Sequence, residues 1–369
     1  MAKRLIIILI TFLLLLIGVI YLVLTRCDKR FWRARNASKF SSVQAALDDL
    51  PDFWEVRNAS KFSSIQAALD DLPDSGGAVF VPPGTYRITS TIVMKPNQSL
   101  IGVGPSSIIT TQTENIDLIH CYNIGGSHLP GVSISNLSLL GMDRGTGSAI
   151  KVKGSHNSVF KNLWITKTYY GIYFVADRKA RDNTDNNLIA NNSIVDTISH
   201  GIYFNPESAS RSEDNIIQGN LFAYTGGEAI RISPGKRNTI IGNTIEDAGK
   251  NGILLRGGHK NTVVGNTVNE CKKHGIYVKN EDHSIVSNNI SYGNDNHNTN
   301  SYDGIHISKD SNYITVIGNS CIDNDRFGIY ISDANCDRCI ILGNIATGNG
   351  AGQIVDNGTN TDKGHNQTQ

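Results

Sequence analysis

The chain has 369 residues and a formal net charge of +1, with 34 Lys and Arg residues against 33 Asp and Glu residues. The basic residues are dispersed after residue 36, so no basic patch suggests a nucleic-acid partner. The 36 Gly residues and the frequent Asn differ from the Leu, Ala and Glu balance of helical repeat proteins. The six Cys are too few to staple a chain of this length, and the isolated pair Cys336 and Cys339 favours a local disulfide or two packed thiols over a zinc site.

The N-terminal region contains a long apolar segment. Residues Leu5 to Leu24 are twenty mostly aliphatic residues, which predicts one helix that crosses a membrane. No small-x-small cleavage site follows, so we interpret the segment as an uncleaved anchor rather than a signal peptide. More basic residues follow the segment than precede it, and the positive-inside rule alone would place the rest of the chain in the cytoplasm. The class of the domain that follows favours the opposite orientation. We therefore expect a single-pass membrane protein whose large domain is extracytoplasmic.

A tandem duplication follows the apolar segment. Residues 31–52 and 53–74 differ at three positions, and each copy has a short amphipathic helix pattern with a Ser cap and a Pro stop. Only the second copy continues into the strand, turn and strand predicted for Gly76 to Ile88. We therefore expect the second copy to be part of the fold. The first copy is interpreted as a spacer, with a dimerising helix as the alternative.

The rest of the chain is built on a repeated tripeptide. Gly-Ile-Tyr occurs at residues 171, 201, 275 and 328, and related triplets begin at 149, 229, 252 and 304, so the motif recurs every 22 to 30 residues. Such a period indicates a solenoid. Two further short strands in each repeat are predicted to meet at a bend, and a column of Asn there is expected to form a structural ladder. The members of this column are Asn136, Asn162, Asn192, Asn220, Asn243, Asn266, Asn288, Asn319 and Asn344.

The segment from Ser63 to Gly104, SSIQAALDDLPDSGGAVFVPPGTYRITSTIVMKPNQSLIGVG, resembles the opening of the pectate lyase superfamily, especially its rhamnogalacturonase-like and tailspike branch. The resemblance implies an all-β fold, a single-stranded right-handed parallel β-helix with an N-terminal capping helix, here preceded by one transmembrane helix. The expected organisation is a short segment (1–4), the transmembrane helix (5–24), a linker with the duplicated helix (25–52), the cap and first rung (53–104), the β-helix (105–356) and a disordered tail (357–369).

Two columns of positions flank the repeated glycine and are predicted to face outward. One column directly precedes the glycine and contains Tyr170, His200, Glu228, Asn251, His274, Asp303 and Phe327. The other lies two residues after it and contains Lys151, Tyr173, Tyr203, Arg231, Leu254, Tyr277, His306 and Tyr330.

A cluster of His274, Asp303 and His306 is the candidate catalytic site. The first two are predicted on adjacent rungs, and Asp303 and His306 lie three residues apart on one rung. A carboxylate beside imidazoles can hold a general base near neutral pH. The structural alternative is that His and Tyr simply fit a half-buried strand.

Aromatic rings and directional polar groups suit sugars, so the same face is a candidate binding surface for a polysaccharide. The pair Glu228 and Asp303 is rejected for glycoside hydrolysis, because three rungs separate them by ~14 Å. Arg231, Arg256 and Lys279 are candidates to neutralise a uronate carboxylate. The candidate binding residues are Tyr173, Tyr203, His200, Glu228, Arg231, Tyr277, Lys279 and Tyr330.

The family's catalytic motifs are not reproduced. Asn183-Thr184-Asp185 matches the first acidic motif of polygalacturonase-type hydrolases without the later motifs, and Asn205-Pro206-Glu207 stands where an alginate epimerase would have Asp-Pro-His-Asp. We expect no cofactor or metal. The loop acids that could bind calcium are more often simply solvated; they are Asp177, Asp182, Asp185, Glu213 and Asp214.

The sequence therefore predicts a membrane-anchored β-helix that binds an extended polysaccharide. The same protein could process the polymer as a lyase, hydrolase or epimerase. A non-enzymatic glycan-binding or structural surface protein is the alternative. A third option is delivery of metal or lipid at the membrane, as in periplasmic copper-handling proteins with similar repeats. The lack of Met and His clusters argues against delivery of metal. The polymer, the reaction and the oligomeric state are left open.

Overall fold

The computed structural model describes residues 55–122, 129–175, 184–205 and 212–369, which belong to one compact unit. The predicted span Leu5–Leu24 and the first helix copy lie outside these ranges. Within the ranges, no helix has the length and apolar character needed to cross a membrane. The anchor therefore stays a prediction from sequence.

A short helix covers one end of the coil, as the second copy of the duplication predicts. The helix spans Ile65–Asp70, and the Ser64 hydroxyl accepts a hydrogen bond from the backbone N–H of Ala67, which caps its first turn. Its apolar face is buried against the first strands. A 3-10 turn, Ala59–Lys61, precedes it. The buried residues of the helix and its continuation are Ile65, Ala68, Leu69 and Leu72.

The remaining described chain coils through three parallel sheets. The first, which we call the front sheet, has eleven strands: Ile92–Met94, Ile119–Cys121, Ile150–Lys153, Ile172–Val175, Ile202–Asn205, Ile230–Ile232, Ile253–Arg256, Ile276–Lys279, Ile305–Ser308, Phe327–Ile331 and Gly352–Asp356. A minor sheet has five: Leu129–Pro130, Ser155–His156, Thr184–Asp185, Ser212–Glu213 and Gly235–Lys236.

The largest sheet has 23 strands, two in most rungs. They are Val56–Asn58, Gly77–Phe80, Gly84–Ile88, Gln98–Ile101, Ser107–Thr111, Ser133–Leu140, Val159–Thr166, Leu188–Ala190, Ser193–Val195, Ile216–Gln218, Leu221–Ala223, Thr239–Ile241, Thr244–Glu246, Thr262–Val264, Thr267–Asn269, Ile285–Ser287, Ile290–Tyr292, Thr315–Ile317, Ser320–Ile322, Ile340–Leu342, Ile345–Thr347, Asp362–Gly364 and Gln367–Thr368.

The Gly-Ile-Tyr repeat forms the front sheet, and its register is constant. Ile172 pairs with Ile202, and Tyr173 pairs with Tyr203. The isoleucines are fully buried in a single core that runs the length of the coil. Glycine is needed before them because a β-carbon at Gly171 would lie 2.4 Å from the carbonyl oxygen of Gly201 on the next rung. The third residue of each repeat consequently faces outward.

The asparagine ladder exists, and Asn288 is the member of the predicted column that lies outside it. Asn162 Nδ2 donates to Asn136 Oδ1 at 3.1 Å, so these two predicted members do hydrogen-bond from rung to rung. Asn136, Asn162 and Asn288 have positive φ values of 56°, 53° and 54° and occupy the left-handed position of the bend, where Gly242 stands in another rung. From Asn192 onward, the continuous ladder stands one position later, with Nδ2 to Oδ1 distances of 2.9 to 3.0 Å. They are Asn192, Asn220, Asn243, Asn266, Asn289, Asn319, Asn344 and Asn366.

Two shorter ladders were not predicted. One connects Asn187, Asn215, Asn238 and Asn261, with Nδ2 to Oδ1 distances of 2.8 to 3.0 Å. Another connects Asn294, Asn324 and Asn349 at 2.9 Å. Buried amides thus satisfy backbone groups at three corners of the coil, where the chain leaves a strand and the ladder of backbone hydrogen bonds is interrupted.

The disordered tail predicted for residues 357–369 is not what the structure shows. Asp362–Gly364 pairs with Ile340–Leu342, and Gln367–Thr368 pairs with Ile345–Thr347. Asn366 also accepts a hydrogen bond from Asn344. The prediction relied on the lack of apolar residues in this segment, but backbone pairing and an amide ladder can extend the coil by one rung without them.

The thiols of Cys336 and Cys339 are buried and form no disulfide. Of the two alternatives left open for this pair, the structure shows two packed thiols.

Candidate functional site

The outward column of the front sheet is the aligned series that the repeat predicts. Lys151, Tyr173, Tyr203, Arg231, Leu254, Tyr277, His306 and Tyr330 pair in succession across eight neighbouring strands. The four tyrosines of this column are partly exposed, whereas Leu254 and His306 are buried. Stacking within the column is direct, since the Tyr173 and Tyr203 rings lie 5.4 Å apart at 21°.

The structure brings His274, Asp303 and His306 together, as the sequence predicts. His306 Nδ1 lies 2.6 Å from Asp303 Oδ2, and the His274 and His306 rings stack with centroids 4.3 Å apart. His274 Nδ1 accepts the backbone N–H of Asp303 at 3.0 Å and lies 3.3 Å from its Oδ2. All three side chains are buried, and Asp303 has no exposed surface.

Arg326 is the functional residue that the sequence analysis missed. Its Nε lies 2.7 Å from Asp303 Oδ1 and its Nη2 lies 2.7 Å from Oδ2, so the guanidinium grips the carboxylate with two hydrogen bonds. Arg326 stands two residues before Gly328, in a column next to the two outward columns that flank the glycine. Lys250 and Lys273 precede Gly252 and Gly275 by the same two positions, and this basic column was a signal in the sequence.

The cluster holds a carboxylate that stays ionised and a neutral imidazole. Burial by itself would raise the pKa of Asp303, but the contacts with His274, His306 and Arg326 outweigh it and hold that pKa well below its usual range. Burial lowers the pKa of His274 to about 4, more than Asp303 can compensate. At neutral pH His274 is therefore uncharged, and it places no like charge beside His306.

A loop covers one side of the cluster. Tyr302 ends the segment between Tyr292 and Asp303, and its ring meets the His274 ring edge-on at 5.0 Å. Asp295 Oδ2 accepts the backbone N–H groups of Ser301 and Tyr302, which fixes the end of this loop. The loop therefore walls the front sheet beside the cluster. Residues 176–183 and 206–211 lie outside the described ranges.

The three residues could also place one ligand atom each within 4.8 Å of one another, a spacing compatible with a metal ion. Arg326 opposes a cation there, because its positive charge already occupies both oxygens of Asp303. Two of the loop acids considered above for calcium, Glu213 and Asp214, have cationic partners instead. Glu213 lies 2.6 Å from Lys236 Nζ, and Asp214 lies 2.6 Å from Arg237 Nη2.

Basic side chains border the cluster on the front sheet. Lys279 pairs in register with Arg256 on one side and Ser308 on the other. Burial, together with the positive charges of Lys309 and Arg256, lowers the pKa of Lys279. Its ammonium group lies 5.7 Å from the centroid of the Tyr277 ring, and the His306 ring lies 5.0 Å from the same centroid. A cation and an imidazole thus border one tyrosine.

His200 and Glu228, predicted as binding residues, form a second buried pair, with Nδ1 of His200 2.9 Å from Oε2 of Glu228. Burial would raise the pKa of Glu228, but His200 and Arg231 lower it overall. Asn251 continues the column by donating to Glu228 Oε1 at 3.2 Å. The strands of Glu228 and Asp303 are three pairings apart, which supports the rejection of that pair for hydrolysis.

The fold and the comparisons define the class: this is a right-handed parallel β-helix protein. Residues 189–298 match the family described as "Right handed beta helix region". Among curated protein sequences, none matches this chain. The resemblance expected from the segment Ser63 to Gly104 is thus confirmed as a fold.

Solved structures of low identity share this fold. The A-module of the Azotobacter vinelandii mannuronan C-5 epimerase AlgE4 superposes with a TM-score of 0.60 at 13% identity, over 85% of this chain and 97% of that one. Gene product 12 of bacteriophage phi29 gives 0.65 at 15% identity, over 88% and 54%. The catalytic domain of a GH87 α-1,3-glucanase, solved with tetrasaccharides, gives 0.57 at 14% identity, over 86% and 70%.

Proposed function

We propose that the protein binds an extended acidic polysaccharide along the front sheet and removes a sugar proton at His306. The observation that carries the proposal is the hydrogen bond between Asp303 and His306 Nδ1. It fixes the imidazole as the tautomer whose Nε2 has a free lone pair, the form required of a general base. The epimerase and the glucanase of similar fold act on polysaccharides according to their names, which supports the substrate class.

The chemistry that fits is proton abstraction from the carbon next to a uronate carboxylate. Lys279 and Arg256 would pair with that carboxylate and stabilise the negative charge that develops on it. His306 Nε2 takes the proton, and the electron pair passes into the carboxylate. Return of a proton to the opposite face gives an epimer. Departure of the neighbouring glycosidic oxygen instead gives an unsaturated sugar and a shorter chain.

Tyr277 and Tyr330 flank the base and are candidates to contact the sugar. Their rings lie 5.0 Å and 5.3 Å from the His306 ring, both nearly perpendicular to it. The Tyr277 hydroxyl lies 3.0 Å from Ser308 Oγ, and burial raises its pKa. Tyr277 is thus a neutral phenol at neutral pH, which can donate a proton to a leaving oxygen or to a carbanion.

The test is to incubate the purified full chain with polymannuronate, polyguluronate and polygalacturonate in deuterated buffer. Unsaturated ends indicate a lyase, deuterium retained at C5 without chain cleavage indicates an epimerase, and reducing ends alone indicate a hydrolase. Either of the first two outcomes, lost in His306→Gln, supports the proposal. Absence of all three products with every polymer overturns the enzymatic part.

The second candidate is a protein that binds the polymer without chemistry. It is favoured by the burial of His274, Asp303 and His306, which leaves the imidazole little exposed surface. Binding of the same polymers without product would identify this function.

We also propose that residues 5–24 anchor the protein with the β-helix outside the cytoplasm. Extraction of membranes with alkaline carbonate, followed by protease treatment of intact cells, tests both parts. A protein that is released by carbonate, or that resists protease until the cells are lysed, contradicts the corresponding part.

A further inference from the structure

The front sheet carries a second His–carboxylate pair that repeats the geometry of the first. His200 Nδ1 accepts the backbone N–H of Glu228 at 3.0 Å, just as His274 Nδ1 accepts that of Asp303 at 3.0 Å. The distances from Nδ1 to the carboxylate are 2.9 and 3.3 Å. Each histidine directly precedes the glycine of its repeat, and all four side chains are buried. The front sheet therefore contains two equivalent constellations.

The two constellations differ in the residue three positions after the acid. It is His306 after Asp303, but Arg231 after Glu228. Arg231 Nη1 is 3.9 Å from Glu228 Oε2, beyond hydrogen-bond distance, and its Nε is buried without a hydrogen-bond partner among the described residues. The Glu228 constellation thus has a guanidinium with unused donors where the Asp303 constellation has a base. It is built to bind an anion rather than to move a proton.

The surroundings of Arg231 suit a sugar that carries a carboxylate. The guanidinium lies 4.9 Å from the centroid of the Tyr203 ring, which holds it on one side of the aromatic surface. Tyr203 and Tyr173 stack and are half-buried, so both rings leave part of their surface exposed beside the guanidinium. A planar guanidinium pairs with a carboxylate through two parallel hydrogen bonds, which gives it specificity as well as affinity.

Arg231 and His306 stand in one column of the sheet, three strand pairings apart. At the usual spacing of parallel strands this is ~14 Å. One extended polymer can therefore reach both only if it is longer than this distance.

We propose that Arg231, with Tyr173 and Tyr203, is a remote carboxylate-binding subsite that sets the minimum length of the polyuronate bound at His306. The subsite rests on the proposed substrate class, and it adds a length requirement that the reaction at His306 does not by itself impose. A bound uronate at Arg231 holds the polymer in register with the Asp303 constellation and its His306.

Uronate oligomers shorter and longer than ~14 Å are titrated calorimetrically into the full chain carrying His306→Gln, which prevents turnover. We expect the long oligomers to bind at least about tenfold more tightly than the short ones, and Arg231→Ala to abolish that difference while leaving the short oligomers unchanged. Arg231→Lys keeps the positive charge at this position, and it serves as a second variant in case Arg231→Ala does not fold. Lys161→Ala, an exposed cation on another sheet, is the matched control and should change nothing.

An equal loss of affinity for short and long oligomers in Arg231→Ala, or no loss for either, overturns the subsite. Length-dependent binding that needs Arg231, together with a wild-type protein that turns over none of the polymers, supports the subsite and rejects only the enzymatic proposal. If no uronate oligomer binds, both proposals fail. Neutral glucan oligomers of the same lengths should show no dependence on Arg231.

Discussion

The imidazole of His306 and the carboxylate of Asp303 lie 2.6 Å apart on one outward-facing rung, although neither has appreciable contact with solvent. Arg326, on the following rung, donates two hydrogen bonds to the same carboxylate. A buried ion pair costs free energy for desolvation, and replacing such a pair with apolar residues is often no loss of stability. Its presence on the face with the tyrosines therefore indicates a chemical role.

His306→Gln should lower turnover of the polyuronate by about 10²- to 10⁴-fold, because a positioned general base contributes that much. Binding of the polymer should change little. The initial rate of product formation and the calorimetric affinity measure the two effects separately. His283→Gln removes an exposed histidine elsewhere on the coil and serves as the control. A rate unchanged by His306→Gln would remove this residue from the mechanism.

Arg326→Met should destabilise the fold by about 3–5 kcal/mol, because it removes the guanidinium that compensates the buried carboxylate of Asp303. The free energy of unfolding in urea measures the loss. Arg338→Met breaks an exposed pair with Asp337 and should cost less than about 1 kcal/mol. Similar costs for the two variants would show that the carboxylate is compensated by other groups.

Glu281 should make the stability depend on pH. Its carboxyl group is buried beside the ladder residue Asn261 and accepts hydrogen bonds from Asn261, Gly258 and Ser284. Burial nevertheless raises the pKa of Glu281 to about 7. The folded state therefore binds the proton more tightly than the unfolded state, whose pKa is 4.5. The stabilising contribution is complete below pH 4.5 and is lost as the pH rises towards 7, a change of about 3 kcal/mol.

His274 acts in the opposite direction, since its pKa falls from 6.5 to about 4 and its contribution is lost as the pH falls. The two slopes oppose each other between pH 4.5 and 6.5. The difference in unfolding free energy between the wild type and Glu281→Gln, measured from pH 4 to 8, isolates Glu281. A difference that does not vary with pH would contradict its raised pKa.

Asn243→Ala should destabilise the coil more than Asn366→Ala. Asn243 Nδ2 donates to Asn266 Oδ1 at 2.9 Å and to the carbonyl of Ile217 at 3.0 Å, and its Oδ1 accepts from Asn220. Its removal leaves buried groups unsatisfied at about 1–3 kcal/mol each. Asn366 ends the ladder and is partly exposed. Thermal unfolding of the two variants should show the larger loss in Asn243→Ala.

The repeated triplet predicts the most about this protein because it encodes backbone geometry locally. The glycine must be small because the next rung's carbonyl lies against it, the isoleucine must be buried, and the third residue must face out, so the register of Tyr277 and His306 could be foreseen. The N-terminal cap followed in the same way from Ser64 and the apolar positions after it.

The ladder residues were harder to assign because the bend uses two adjacent positions. The Asn288 and Asn289 pair shows the difficulty, since one supplies the left-handed conformation and the other the ladder amide. The sequence favours Asn at both. Only the direction of the side chain distinguishes them, and that direction depends on the neighbouring rungs.

By itself, the sequence determined the solenoid, its front face and the meeting of His274, Asp303 and His306, because the constant spacing of strands converts intervals in the sequence into distances. The tertiary structure decided what those residues are chemically. Arg326 reaches Asp303 from another rung, and the loop ending at Tyr302 covers His274, so burial and charge at the site depend on segments whose place no repeat specifies. The ionised carboxylate and the neutral imidazole are consequences of that packing.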